Sequence, residues 1–135
     1  AAIAVALAAR RSDVRVLLTV AGNLDSEAVN RFHRVDPMPQ SVNPITLAPA
    51  LAALPQLHFR AQGDRIIPPE LAAAFVAAGP MRSARIIDVE GTTHGDGWPQ
   101  RWPALLDAQS AVLRPSDPAH PPPRPAPPPS AASTP

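Results

Sequence analysis

The sequence predicts an α/β fold, a doubly wound and mostly parallel sheet with helices on both faces, and three observations lead to it. Short β-branched runs alternate along the chain with apolar helical segments. The strand candidates are nearly continuous apolar runs, which is typical of parallel strands buried on both faces. The best-defined helix is bounded by proline and glycine. Alternation of strand and helix indicates a parallel sheet covered on both sides.

The first helix and strand lead into a long segment without a clear pattern. The predicted helix, Ala1 to Arg10, is built from small apolar residues and ends in a cation that suits its C-terminal dipole. The predicted strand is VRVLLTV, Val14 to Val20. Residues 23–55 are expected to be mostly loop, with one short helix around Leu47 to Ala53. Long irregular segments at the strand ends of such sheets often hold substrates.

Two further strands flank a helix with well-marked ends. The strands are LHFRA, Leu57 to Ala61, and ARIIDV, Ala84 to Val89. The helix LAAAFVAA has Pro68, Pro69 and Glu70 at its start and Gly79-Pro80 at its end. A last helix is predicted from near Pro103 to Leu113.

The chain divides into one predicted domain, residues 1–113, and a proline-rich tail, residues 114–135. From Pro115 to Pro135 the sequence holds 10 of the 20 prolines and no large apolar residue. Such a segment buries too little surface to offset the entropy of ordering it, so we expect it to be disordered.

Composition argues against several functional classes. The 12 basic residues, all arginines, are interspersed with 11 acidic ones and form no stripe, so no nucleic-acid partner is expected. No apolar run reaches the roughly 20 residues of a membrane span. With no cysteine, the chain has no thiolate nucleophile, disulfide or cysteine-ligated metal site. We expect no cofactor.

Asp64 and His94 are the candidate catalytic residues, because each follows the end of a predicted strand. Their separation of 30 residues fits one strand–helix–strand crossover. Such a crossover brings both strand ends to one edge of a parallel sheet, where ligand sites occur. A carboxylate that accepts the Nδ1–H of an imidazole holds one tautomer and leaves Nε2 as general base. Glycines 91, 95 and 97 suit a loop that carries the histidine.

The other histidines have more ordinary interpretations. His58 lies inside a predicted strand and is expected to be a packed or hydrogen-bonded core residue. His33 falls in the irregular segment. A role in lining a pocket is considered for it but is not the favoured interpretation. His120 belongs to the tail.

Three further groups lie near the predicted edge. His94 and Asp96 are close, but two ligands are too few for a zinc site, so no metal site is expected. Trp98 and Trp102 are expected either in the core or as a wall of the active site. The segment from Asn23 to Asp25 follows the first strand. It is expected either to shape a pocket or to form a turn.

Several motifs resemble those of the α/β-hydrolases. QGDRIIPP and EGTTHGDGW are similar to the family's motifs for the triad acid and histidine, in the same chain order. TVAGNLD, HRVDPMPQSVNP and LPQLHFRAQGD further resemble a group of predicted bacterial serine hydrolases of unassigned substrate. The resemblance covers Ala1 to about Leu113. It implies part of an α/β-hydrolase fold, with Asp64 and His94 acting on a small-molecule, ester-like substrate through an acyl-enzyme.

The nucleophile of that family is missing from this sequence, since no G-x-S-x-G elbow occurs in it. The resemblance places the elbow immediately before the helix at Ala1. We therefore interpret the chain as the C-terminal portion of a longer serine hydrolase, inactive by itself. An aspartate in the elbow, in place of serine, would instead give alkyl-enzyme chemistry. The alternative from a different functional class is a non-catalytic hydrolase remnant that binds a partner. A cytoplasmic location is the default expectation, and export stays open.

Overall fold

The structure is a computed structural model that describes residues 1–80 and 83–114. The predicted disordered tail, from Pro115 onward, and His120 within it lie outside the described residues. No helix of the described part is long and apolar enough to cross a membrane. In chain order the elements are α1 (Ala2–Arg10), β1 (Leu17–Val20), α2 (Ser26–His33), a 3₁₀ helix (Pro44–Leu51), β2 (Gln56–Ala61), α3 (Glu70–Ala78), β3 (Ala84–Val89), α4 (Trp98–Ala108) and α5 (Ser110–Leu113).

The described strands form a parallel sheet, as the sequence predicts, and the structure shows their order to be β1-β2-β3. Val20 lies opposite Phe59, and Ala61 lies opposite Val89. The carboxyl ends of the strands therefore meet at one edge of the sheet. The first strand is shorter than predicted, because β1 begins at Leu17 rather than Val14.

Helices cover both faces of the sheet over two separate apolar clusters. One cluster joins α1, α3 and the 3₁₀ helix to β1, and its largest member is Phe75. The other packs α4 and α5 on β2 and β3, with Trp102 against Phe59 at 5.5 Å between ring centroids. Side chains along β2 alternate between the clusters, since successive residues of a strand point to opposite faces. This arrangement confirms the doubly wound fold.

The prediction of mostly loop for residues 23–55 is wrong at α2. Asp25 caps this helix by accepting a hydrogen bond from the backbone N–H of Ala28 at 3.1 Å. Asn43, 18 residues away, donates to the same carboxylate at 2.9 Å and accepts from the N–H of Ser26. The cap was visible in the sequence, whereas the contact with Asn43 depends on the tertiary fold. The short helix predicted at 47–53 is the 3₁₀ helix, which begins at Pro44.

The last long helix begins earlier than predicted. Helix α4 starts at Trp98, after Gly97 with φ of 84°, and Pro103 lies inside it. Pro99 occupies the first turn, where the missing N–H costs nothing because first-turn donors have no partner within the helix.

His58 is a core residue, which confirms its sequence interpretation. Its side chain is 1% exposed, and Nδ1 lies 2.9 Å from Oγ1 of Thr19 on the neighbouring strand. The rings of His58 and Phe75 form a T-shaped pair with 5.6 Å between their centroids. Burial lowers the pKa of His58 to about 4, because the charged form loses its hydration there.

Truncating the centre of the larger cluster tests its contribution to stability. Phe75 is fully buried, so Phe75→Ala is expected to lower the free energy of unfolding by about 3–5 kcal/mol. Phe32→Ala is the matched control, because Phe32 is 57% exposed, and its effect is expected to stay within about 0.5 kcal/mol. Denaturant unfolding followed by circular dichroism measures both, and equal effects would contradict this core assignment.

The burial of His58 also predicts a pH dependence of stability. Between pH 6.5 and about 4 the unfolded chain binds a proton at this residue that the folded chain excludes. Stability is therefore full above pH 6.5 and is lost as the pH falls toward 4, by about 3 kcal/mol at most. His58→Gln should flatten this part of the curve of unfolding free energy against pH. An unchanged slope in the variant would show that other groups cause it.

Candidate active site

Asp64 lies in a tight turn directly after β2. Its Oδ1 accepts hydrogen bonds from the backbone N–H groups of Ile66 at 2.8 Å and Ile67 at 2.9 Å. Its side chain is only 5% exposed. A buried carboxylate is costly unless hydrogen bonds replace its hydration, and the two amides supply that replacement. They also fix the carboxylate in one orientation.

His94 lies against the other oxygen of this carboxylate. Its Nδ1 is 3.1 Å from Oδ2 of Asp64, and its side chain is 44% exposed. Because a carboxylate only accepts, the tautomer that satisfies this contact carries its proton on Nδ1. Nε2 of the neutral ring then has a free lone pair. The structure brings together the two residues that the sequence singled out, in the geometry of an orienting acid and a general base.

The loops that carry these residues are joined through their backbones. The N–H of Gly63 donates to the carbonyl oxygen of Thr92 at 2.9 Å. A Cβ atom at position 63 would lie 2.9 Å from that same oxygen, which is closer than real Cβ atoms approach. The glycine before Asp64 is therefore required by the close approach of the two loops.

The His94 loop is held from its far side by Trp98. The indole Nε1–H donates to the carbonyl oxygen of Thr93 at 3.0 Å, and the N–H of Thr93 donates to the carbonyl oxygen of Asp96. Gly91 and Gly97 have positive φ values of 64° and 84°, whereas Gly95, the third glycine of this loop, does not have a positive φ. Trp98 also packs against the smaller cluster, as expected for a core residue, and its hydrogen bond to the loop is an additional role that the sequence did not predict.

An open hollow lies beside His94. It is lined by Gly63, Arg65, Ile66, Thr93 and His94. His33 is not part of this lining, but its imidazole N–H donates to the carbonyl oxygen of Ile66 at 2.7 Å. The end of α2 therefore supports one wall of the hollow.

The segment after β1 has structural roles. Leu24 is 1% exposed and belongs to the larger cluster, while Asp25 caps α2. Trp102 packs in the smaller cluster, as expected for a core residue. Among residues 1–80 and 83–114, no three histidine or carboxylate side chains are grouped so as to hold a metal ion.

The described site pairs the carboxylate of Asp64 with the imidazole of His94. No serine lines the hollow that contains His94 in the part of the chain that the structure describes. The start of α1 nevertheless lies at the carboxyl edge of the sheet, since a Cβ atom at Gly22 would be 3.2 Å from Cβ of Ala1. Gly22 lies two residues after Val20, the last residue of β1, and so at the carboxyl end of this strand.

Comparisons with known proteins agree on the fold. No protein-family model and no curated protein matches the chain. A monoacylglycerol lipase from Paleococcus ferrophilus is similar in structure, with a TM-score of 0.55 and 13% identity over 80% of this chain and 63% of the lipase. A candidate non-heme bromoperoxidase from Mycobacterium tuberculosis H37Rv has a TM-score of 0.53 and 15% identity over 82% of this chain and 62% of its own.

The chain thus spans less than two thirds of either neighbour, and at these identities the likeness concerns the fold alone. Both neighbours are α/β-hydrolase fold proteins. The parallel sheet, the helices on both faces and the two neighbours together show that this chain has the α/β-hydrolase fold.

Proposed function

We propose that this chain supplies the acid and the histidine of a serine-hydrolase triad that cleaves an ester or similar acyl bond in a small molecule. The observation that carries the proposal is the 3.1 Å contact between Oδ2 of Asp64 and Nδ1 of His94. The pair lies at the carboxyl edge of a parallel sheet, where open α/β folds hold their ligands. The likeness of the fold to a monoacylglycerol lipase is compatible with acyl chemistry.

His94 acts as general base and then as general acid in this proposal. Its Nε2 takes the proton of a hydroxyl nucleophile as the oxygen attacks the acyl carbonyl carbon, and then gives that proton to the leaving alcohol. In the second half, His94 takes a proton from a water molecule as the water attacks the acyl-enzyme. The carboxylic acid is released, and His94 returns the proton to the nucleophile. Asp64 stabilises the imidazolium that forms in each half of the reaction, and its two backbone donors hold the carboxylate in one orientation.

We place the nucleophile immediately before α1, in a longer chain. Three observations support that position. The 135 residues contain no G-x-S-x-G elbow, and they span 63% and 62% of the two neighbouring structures. Ala1 lies beside Gly22 at the edge that carries Asp64 and His94, so a residue just before it would lie at that edge as well.

Removing either member of the pair tests the proposed triad in the longer gene product. His94→Ala and Asp64→Asn are each expected to lower kcat for a p-nitrophenyl ester by about 10⁴-fold. The asparagine keeps an oxygen for the N–H groups of Ile66 and Ile67, but its amide donates to His94 and favours the wrong tautomer. The measurement is steady-state hydrolysis at pH 7 to 8.

Matched controls separate chemistry from folding in that test. Asp107→Asn changes an exposed acid on α4, and His120→Ala changes a histidine of the proline-rich segment, so both should keep full activity. If His94→Ala retains the protein's function, the chain is a non-catalytic hydrolase relative that acts by binding.

The 135 residues by themselves are expected to be inactive. Without an elbow there is neither a nucleophile nor the backbone N–H that follows it in an oxyanion hole. Ester hydrolysis by the purified 135-residue chain is expected at the buffer rate. Activity that copurifies with the chain and disappears in His94→Ala would place the nucleophile within these residues instead.

A further inference from the structure

The buried side chain of His58 has one nitrogen without a partner. Its Nδ1 is 2.9 Å from Oγ1 of Thr19, whereas Nε2 is buried and makes no hydrogen bond to any residue of the described part of the chain. Leaving a buried polar atom unbonded costs about 1–3 kcal/mol, so such atoms usually bind protein groups or ordered water.

A small cavity lies beside this imidazole, under the turn that carries Asp64. It leaves about 20 Å³ free for the centre of a water molecule. One ordered water needs roughly 10–15 Å³ by the same measure. Residues from β1, β2, the turn and α3 line the cavity, among them Thr19, His58, Asp64, Ile67, Pro68 and Ala72.

The chemistry of the lining selects water over an ion. Burial keeps His58 neutral at pH 7, since its pKa is lowered to about 4, so the ring offers no charge to attract an anion. In one tautomer Nε2 donates, and in the other it accepts. Water satisfies either tautomer, whereas a metal ion would need more donors than the described residues group together.

Asp64 is the second polar group available to such a water. An ionised carboxylate accepts about four hydrogen bonds. Asp64 has three partners, the amides of Ile66 and Ile67 on Oδ1 and the imidazole of His94 on Oδ2. One acceptor position is therefore left on a carboxylate that lines the cavity.

We propose that one water molecule occupies this cavity, hydrogen-bonded to Nε2 of His58 and donating to the carboxylate of Asp64. His58 is thereby a positioning residue that supports the acid through this water. The water site is independent of the proposed function, whereas the positioning role rests on the proposed function of Asp64.

Two amide substitutions of His58 separate the water contact from packing. His58→Gln places an amide near the position of Nε2, and His58→Asn places one near Nδ1 and leaves the Nε2 position empty. The wild-type chain and His58→Gln should show nuclear Overhauser contacts between a long-lived water and side chain 58, and electron density in the cavity. His58→Asn should lose both while its amide still reaches Thr19.

The Nδ1–H proton resonance of His94 reports the positioning role without any assay of activity. It should be shifted downfield by its bond to Asp64, stay so in His58→Gln, and broaden or move upfield in His58→Asn. In the active longer protein we expect kcat to fall roughly tenfold in His58→Asn at unchanged KM, with most of it restored in His58→Gln.

The outcomes are distinct. A folded wild-type chain without this water overturns the proposal, and equal loss of the His94 resonance in both variants assigns the effect to packing and overturns the positioning role. If the water and the selective loss are found while His94→Ala keeps full function, the hydrolase proposal fails and the water site is confirmed.

Discussion

The parallel pairing of β2 with β3 is the constraint on which the candidate site depends. Because Ala61 lies opposite Val89, the loops that follow both strands leave the sheet at the same edge, roughly 5 Å apart. Asp64 and His94 then need only short loops to reach contact at 3.1 Å. An antiparallel pairing would place the two loops at opposite ends of the strands, and neither the contact nor the backbone link from Gly63 to Thr92 would form.

The two oxygens of Asp64 have different partners. Asp after glycine is commonly a turn residue, and Oδ1 has that role by accepting the N–H groups of Ile66 and Ile67. Oδ2 contacts His94. The turn supplies the hydrogen bonds that a nearly buried carboxylate requires, so the structural role makes the proposed catalytic role possible.

The fold of this chain is similar to two α/β-hydrolase fold structures at only 13% and 15% identity. Strand order, the crossover helix and apolar periodicity follow from covering a parallel sheet on both faces, and many different sequences satisfy that requirement. Chemistry depends instead on a few side chains at the strand ends. The function proposed for this chain therefore rests on Asp64 and His94 and not on the fold.

The sequence by itself determined the class of fold, the three strands and the acid–histidine pair, because apolar runs, proline and glycine boundaries and strand-end residues are local signals. It missed helix α2, although the capping residue Asp25 is a local signal, and it missed the contacts of Asn43 with that cap and of Trp98 with the His94 loop. Only the tertiary structure decided those contacts, the need for glycine at position 63 and the buried nitrogen of His58. The contact of Asn43 with Asp25 and the approach of Gly63 to Thr92 join residues far apart along the chain, and the bond of Trp98 to Thr93 depends on how the intervening loop folds.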